Sequence, residues 1–238
     1  MLCHGSPRKP TGQKVVVFDF DETLTKKNTL EIFAKTLLGN KALFYFYCMI
    51  SGLLVPFLFF SKRQKINQTP LTEAFPVKHG FIWKSRCIDA FRRTFLRLIS
   101  KHASPELEDM IAKELHSKIE YIDEVVSRLN DFTINKNIEV WIATGSSKVF
   151  VEAIAKYNKW NVSKVIGTDL YGYGYMATLE CIRRNKSHMI KVDLNSKGAY
   201  VHEAFGNYWD DMYMLDMSKG RSFCVGKDQS IFEITPTL

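Results

Sequence analysis

The stretch VVVFDFDET, residues 15–23, decides how the chain is read. Three valines and a phenylalanine make a short apolar run, which suits a strand buried on both faces in a parallel sheet. The run ends abruptly in acid, with Asp19, Asp21 and Glu22 close together. Open α/β sheets bind their ligands beyond the carboxyl ends of the strands, so carboxylates there are candidates for chemistry. Two carboxylates spaced i, i+2 at a strand tip can divide labour. One can attack as a nucleophile, and the other can donate a proton and later withdraw one. Both are also oxygen donors of the kind Mg²⁺ takes.

Outward from that strand, IEVWIAT (138–144) is a second strand-like run, followed by Gly145-Ser146-Ser147. Val149, Phe150, Ala153, Ile154 and Tyr157 then recur at helical spacing, with Ser146 or Ser147 as the expected N-cap. A hydroxyl, a residue without Cβ and a helix start can together hold phosphate oxygens, which marks Thr144, Gly145 and Ser146. Residues 162–170 read as another strand, and YGYGYMATLEC (171–181) as a glycine-punctuated hairpin. AYVHEAFG (199–206), a helix near 210–218 and RSFCVG (221–226) complete an alternation that predicts a parallel α/β sheet. More than a hundred residues of mostly helical character separate the first two strands, too many for a simple crossover. The expected organisation is a catalytic core from 1–27 and 128–238, with a helical cap inserted over 28–127.

Charge and apolar patterning bear on partners. The chain carries a net charge of +8, and the segment 62–101 holds ten Lys/Arg against Glu73 and Asp89, enough to account for all of it. Such a local excess points to an anionic surface; no nucleic-acid recognition motif accompanies it, so a membrane is expected and nucleic acid is not. Ala42–Phe60 runs 19 residues without a charge, within the length of a membrane span. Asp19 and Thr144 have to meet on one side of any membrane. The segment therefore has to dip and return at Gly52 and Pro56, lie at the interface, or pack inside the protein. From Lys84 to Lys101, Ile88, Phe91, Phe95, Leu98 and Ile99 share a face, and Arg86, Arg92, Arg93 and Arg97 fall largely elsewhere. That is the pattern of a basic amphipathic helix on an anionic membrane, or of a helix facing a core. The five cysteines include no C-x-x-C pair, so zinc and a disulfide framework are not expected and a reduced, cytoplasmic setting is. The polar, basic first fourteen residues predict no secretory signal.

In chain order, Asp19-Phe20-Asp21-Glu22-Thr23, Thr144-Gly145-Ser146, Lys186 in CIRRNKSHMI and Asp210-Asp211 in GNYWDDMYML resemble the motif set of haloacid dehalogenase-like phosphatases. The resemblance implies a Rossmann-like α/β core with a parallel sheet and a helical cap inserted after the first strand. It makes Asp19 the nucleophile, Asp21 the general acid/base, Thr23 a residue that orients Asp21, Thr144 a phosphate binder and Lys186 the third-motif lysine. Lys191 and Lys197 lie close to Lys186 in the chain. The implied cofactor is Mg²⁺, held by Asp19, Asp21, Asn207 and Asp211. The family usually has Gly-Asp where this chain has Gly206-Asn207; an amide offers oxygen without charge, so weaker metal binding is expected. Which of Asn207, Asp210 and Asp211 ligates stays open. The cap position is similar to that of the subfamily containing phosphoserine phosphatase. The runs WIATGSS and YGYGYMATLECIRRNK, with the apolar cap segment, resemble the phosphatidylglycerophosphatase C family. The implied activity is Mg²⁺-dependent hydrolysis of a phosphate monoester through an aspartyl-phosphate. Its substrate would be phosphatidylglycerol phosphate or a similar phospholipid, at the cytoplasmic face of the inner membrane. A soluble phosphoserine- or sugar-phosphate-type phosphatase and a catalytically decayed binding protein are the alternatives.

Overall fold

The computed structural model describes residues 12–60, 79–171, 180–207 and 210–235. Its centre is β1 (Gln13–Phe18). Val15 and Val17 point to one face of the sheet and Val16 and Phe18 to the other, and all four are fully buried, as expected of an apolar run between two helical layers. The other strands are β2 (Ile138–Ser147), β3 (Lys164–Thr168), β4 (Ala199–Asn207), β5 (Arg221–Val225) and β6 (Ile231–Ile234). They line up in the order β3-β2-β1-β4-β5-β6, parallel except for β6, which runs antiparallel to β5. From β1 the chain builds outward on one side through β2 and β3, then crosses to β4 on the other. The crevice at the carboxyl ends of β1 and β4 is therefore the switch point at which such sheets take ligands.

Among the described residues the connection between β1 and β2 holds the α-helices α1 (Leu30–Leu38), α2 (Lys41–Phe60), α3 (His79–Ile99), α4 (Pro105–Leu115) and α5 (Asp123–Ile134). Its two arms are stitched together where they leave the sheet. Lys26 N–H donates to Glu120 O (2.9 Å) and Ile122 N–H to Leu24 O (2.9 Å), flanking a bridge between Thr25 and Tyr121. After β2 come α6 (Lys148–Tyr157), α7 (Arg183–Lys197) and the single turn α8 (Met212–Leu215). Helix α5 packs on β2, and α4 packs on α6. One apolar cluster runs from Phe18 and Phe205 through Phe33, Phe95 and Leu115 to Phe150, so inserted helices and sheet share a core.

Several expectations shift. The second strand continues through Gly145-Ser146-Ser147, and β2 pairs with β3 across a register break between Ala143 and Ser147. The helix expected over 210–218 is only Met212–Leu215. Most of the hairpin expected over 171–181 lies outside the described residues. Gly52 and Pro56 do not break the apolar segment: α2 is one helix through both, which removes the dip-and-return geometry. Among the described residues no helix is long and apolar enough to cross a membrane. Phe44 and Ser51 face inward on α2, whereas Tyr45, Phe46, Met49 and Leu53 face water.

Candidate active site

Asp19 follows β1 directly, is only 4% exposed, and donates its N–H to Phe205 O on β4 (2.8 Å). The adjacent parallel strands thus set its position. The turn after it puts Glu22 at φ 60, a left-handed conformation that folds the acidic stretch back on itself. Asp21 is partly buried and its carboxylate is well held. One oxygen accepts the Thr29 N–H (2.7 Å) and hydroxyl (2.8 Å), and the other accepts the Ser146 hydroxyl (2.5 Å). Ser146 in turn donates its N–H to the buried Thr144 hydroxyl (3.0 Å), tying the β2–α6 turn to the β1 tip.

Lys186 stands in the first turn of α7, 3% exposed, and donates to Asp19 (2.7 Å) and to Asp211. Lys191 is exposed, and Lys197 pairs with Glu139 at the surface (2.7 Å), so the ambiguity among the three lysines resolves to Lys186. Asp211, also buried, accepts the Asn207 N–H with its second oxygen (3.0 Å), and Asn207 Nδ2 donates to the Asp21 main-chain oxygen (3.1 Å). Gly206 is required here by space: a Cβ would stand 2.6 Å from that of Asp211. Gly145 is equally tight, because a Cβ would meet Ile182 at 2.8 Å and the Arg92 guanidinium at 2.9 Å.

The electrostatics follow from two buried carboxylates sharing one cation. Burial pushes the Asp19 carboxyl up to about 8, and Asp211 adds to the rise while Lys186 opposes it. Asp211 is raised for the same first reason, burial. Burial by itself lowers the Lys186 ammonium, but Asp19 and Asp211 outweigh it and hold it above the ordinary lysine range, hence charged. Two buried carboxyls thus share one lysine, and burial favours the protonated form of each.

Among the described residues no group of three or more His, Cys, Asp and Glu side chains converges as a metal site. Asp211 is occupied by Lys186 and Asn207 N–H, and the Asp21 carboxylate by Thr29 and Ser146. The other oxygen donors at these strand ends are the Asp19 carboxyl, which accepts from Lys186 with one oxygen, the Asp21 main-chain oxygen, which accepts from Asn207 Nδ2, and the Asn207 amide oxygen. Mg²⁺ takes such donors with several retained waters. The set fits it by donor type, with one formal ligand charge when Asp19 is ionised.

One expectation changes on contact with this geometry. Thr23 does not orient Asp21: it is fully buried, and its hydroxyl has no partner among the described residues. Thr29 does that work with Ser146. Its sequence signal is the Asn28-Thr29 pair ahead of a helical run; Thr29 sits at the N-cap of α1 but spends its hydroxyl on Asp21. The arginines of α3 decide between the two readings left open for that helix. Arg92 donates to Gly145 O (2.7 Å) and to Glu180 (3.3 Å), and Arg93 lies 3.6 Å from Glu180. Asp89, one turn earlier, takes Arg183 at 2.5 Å, and Arg183 also holds Asp210 at 2.9 Å. This face of α3 meets the β2–α6 turn and the start of α7. Of the three arginines Arg92, Arg93 and Arg97, only Arg97 is left exposed.

The sequence profile of haloacid dehalogenase-like hydrolases matches residues 16–216. No curated protein matches the sequence. Among solved structures, a candidate phosphatase from Clostridium difficile is similar at 16% identity and TM-score 0.42, with 91% of this chain and 86% of that one covered. A predicted phosphatase from Clostridium acetobutylicum is similar at 14% identity and TM-score 0.40, with the same coverage. A phosphoserine phosphohydrolase-like protein from Francisella tularensis is similar at 18% identity and TM-score 0.29, over 65% of this chain and 59% of that one. The profile spans the strand-end acids, the β2–α6 turn, Lys186 and Asp211 together, and with that span the chain belongs to the haloacid dehalogenase-like hydrolase family.

Proposed function

We propose that the protein hydrolyses a phosphate monoester through an aspartyl-phosphate on Asp19. The observation that carries this reading is Lys186 bridging the buried Asp19 and Asp211 beside an Asp21 held from three sides. Asp19 attacks phosphorus in line, the ester P–O bond breaks, and Asp21 gives its proton to the leaving oxygen. Water then attacks the phosphorus of the mixed anhydride while Asp21 takes a proton from it, which releases phosphate and restores Asp19. Thr144, Gly145 and Ser146 hold the phosphoryl oxygens, with Lys186 screening their charge. Mg²⁺ would be held by Asp19, Asp21 and Asn207, and when bound supplies positive charge against the phosphoryl oxygens. Asp211, expected from the sequence as a ligand, holds Lys186 in this reading. Residues 28–127 act as the cap over a core of 1–27 and 128–238.

The substrate we propose is amphiphilic, a phospholipid phosphate such as phosphatidylglycerol phosphate, met at the cytoplasmic face of a membrane. Support comes from α2, where Tyr45 is 61% and Leu53 64% exposed, with Phe46, Met49 and Leu54 exposed on the same helix. Contiguous exposed apolar surface of this kind marks an interaction site. Lys41, Arg97 and Lys101, all exposed, supply the basic rim that anionic lipid favours. The test is Mg²⁺-dependent phosphate release from phosphatidylglycerol phosphate in mixed micelles, with phosphoserine in parallel. Preference for the lipid is expected. Preference for phosphoserine keeps the chemistry but removes the lipid reading, and phosphate release from neither removes both substrates.

A further inference from the structure

Helix α6 begins at the turn that carries Thr144, Gly145 and Ser146, and its own cap is missing. Ser147 occupies the N-cap position but makes no side-chain cap hydrogen bond. The cap comes from another helix. Glu108 of α4, fully buried, accepts the Ser147 hydroxyl and the Phe150 N–H, the N–H that an N-cap side chain ordinarily takes. Its other oxygen, Oε1, is buried without a partner among the described residues. A carboxyl with one satisfied and one orphaned oxygen, sealed at the positive end of a helix, is costly to keep unless it has a use.

We propose that Glu108 is a positioning residue that closes the N-terminus of α6 from the inserted helices and sets how strongly the Thr144–Ser147 turn takes an anion. The inference rests on the reading of that turn as the phosphoryl site. While Glu108 is neutral, its oxygens complete the cap and the positive end of the helix remains available to phosphate. Once it is ionised, a negative charge stands at the same helix end and opposes the incoming dianion.

The surroundings favour a change between these states near neutrality. Burial pushes the carboxyl up to about 7, against the bonds from Ser147 and Phe150, and Asp169 beyond β3 adds to the rise. Other charged groups on the packed elements are engaged with one another. On α4, Asp109 takes the Tyr157 hydroxyl (2.7 Å) and lies 3.6 Å from Lys156; on α6, Lys148 lies 3.7 Å from Glu152; on α1, Lys35 pairs with Glu31 (2.5 Å).

The experiment measures inorganic phosphate affinity by calorimetry and KM and kcat for p-nitrophenyl phosphate from pH 5.5 to 8.5, in the wild type, Glu108→Gln and Ser147→Ala. Glu108→Gln keeps the shape and cannot ionise. At pH 8.5 it should bind phosphate about three- to tenfold more tightly than the wild type, with a matching fall in KM, and at pH 5.5 the two should agree. Phosphate's own ionisation is common to both and cancels in the ratio. Ser147→Ala removes a bond to the ionised form, so its loss of affinity should begin at higher pH than in the wild type. A third readout needs no turnover. The folded-state carboxyl lies above its ordinary 4.5, so its contribution to stability is present at low pH and is lost as pH rises towards about 7. The Tm of Glu108→Gln relative to the wild type should therefore climb between pH 5 and 8. A wild type that hydrolyses the ester, with a phosphate-affinity ratio that stays flat across pH, overturns the proposal alone. A wild type that hydrolyses no phosphate ester overturns the underlying reading instead. If Glu108→Gln does not fold, Ser147→Ala decides by whether its affinity profile shifts.

Discussion

Lys186 is 3% exposed and clamped between two carboxylates, whereas Leu53 on α2 is 64% exposed with apolar neighbours on the same helix. The strand-end cluster is a closed polar network in which nearly every atom has an assignment. The outer face of α2 is an open apolar surface. The same chain buries charge at one place and exposes hydrocarbon at another, and both arrangements cost stability unless something else compensates. In the cluster the compensation is internal, from Lys186, Thr29, Ser146 and Asn207. On α2 no such compensation is present among the described residues, and the proposed lipid surface would supply it.

The largest effect that could break this division lies in the cluster. Asp19→Asn keeps the shape and removes the nucleophile, so turnover should fall by roughly three orders of magnitude or more with the fold intact by circular dichroism. Residual turnover above a few per cent would sink the assignment. Lys186→Met leaves two buried carboxylates without their cation. It should cost about 3–5 kcal/mol in urea-melt stability, as well as turnover, and a stable variant would mean the pair is already neutral in the wild type.

A smaller contrast separates the two threonines. Thr29→Val takes one hydroxyl from the Asp21 carboxylate, a charge-assisted bond worth about 1.5–3 kcal/mol, and kcat should drop roughly ten- to hundredfold. Thr23→Val should leave kcat within about twofold, since the Thr23 hydroxyl has no partner among the described residues. The reverse ranking would restore Thr23 as the orienting residue.

The smallest effects sharpen the other side. Arg97→Gln with Lys101→Gln should weaken binding to anionic vesicles by about 1 kcal/mol per charge at low salt, without touching hydrolysis of a soluble ester. Arg92→Gln should do the opposite, slowing ester hydrolysis because its bond to Gly145 O is lost. Vesicle binding that depends on Arg92 and not on Arg97 would favour the membrane-facing one of the two orientations the sequence left open for α3.

The site was legible in the sequence where local geometry dictates position. Asp19, Asp21, Thr144 and Asn207 stand within a few residues of strand ends, and parallel register then brings strand ends together whatever lies between. Thr29 and Glu108 were not legible, because each acts across a gap that only packing closes: α1 folding back on the β1 tip, and α4 lying on α6. The surroundings of Arg92 were left open for a related reason. Periodicity places it on the polar side of an amphipathic helix, but says nothing about whether that side meets water, lipid or another polar surface.

The sequence by itself determined the parallel α/β sheet, the acids at its carboxyl edge and the long helical insertion, because apolar runs, turn residues and connection lengths are properties of contiguous chain. The tertiary structure alone decided which lysine enters the site, which hydroxyls hold Asp21, that α2 stays a single helix and that Arg92 and Arg93 face inward. Those choices depend on which surfaces meet when separate elements pack, and that is set by the shape and charge of both partners together.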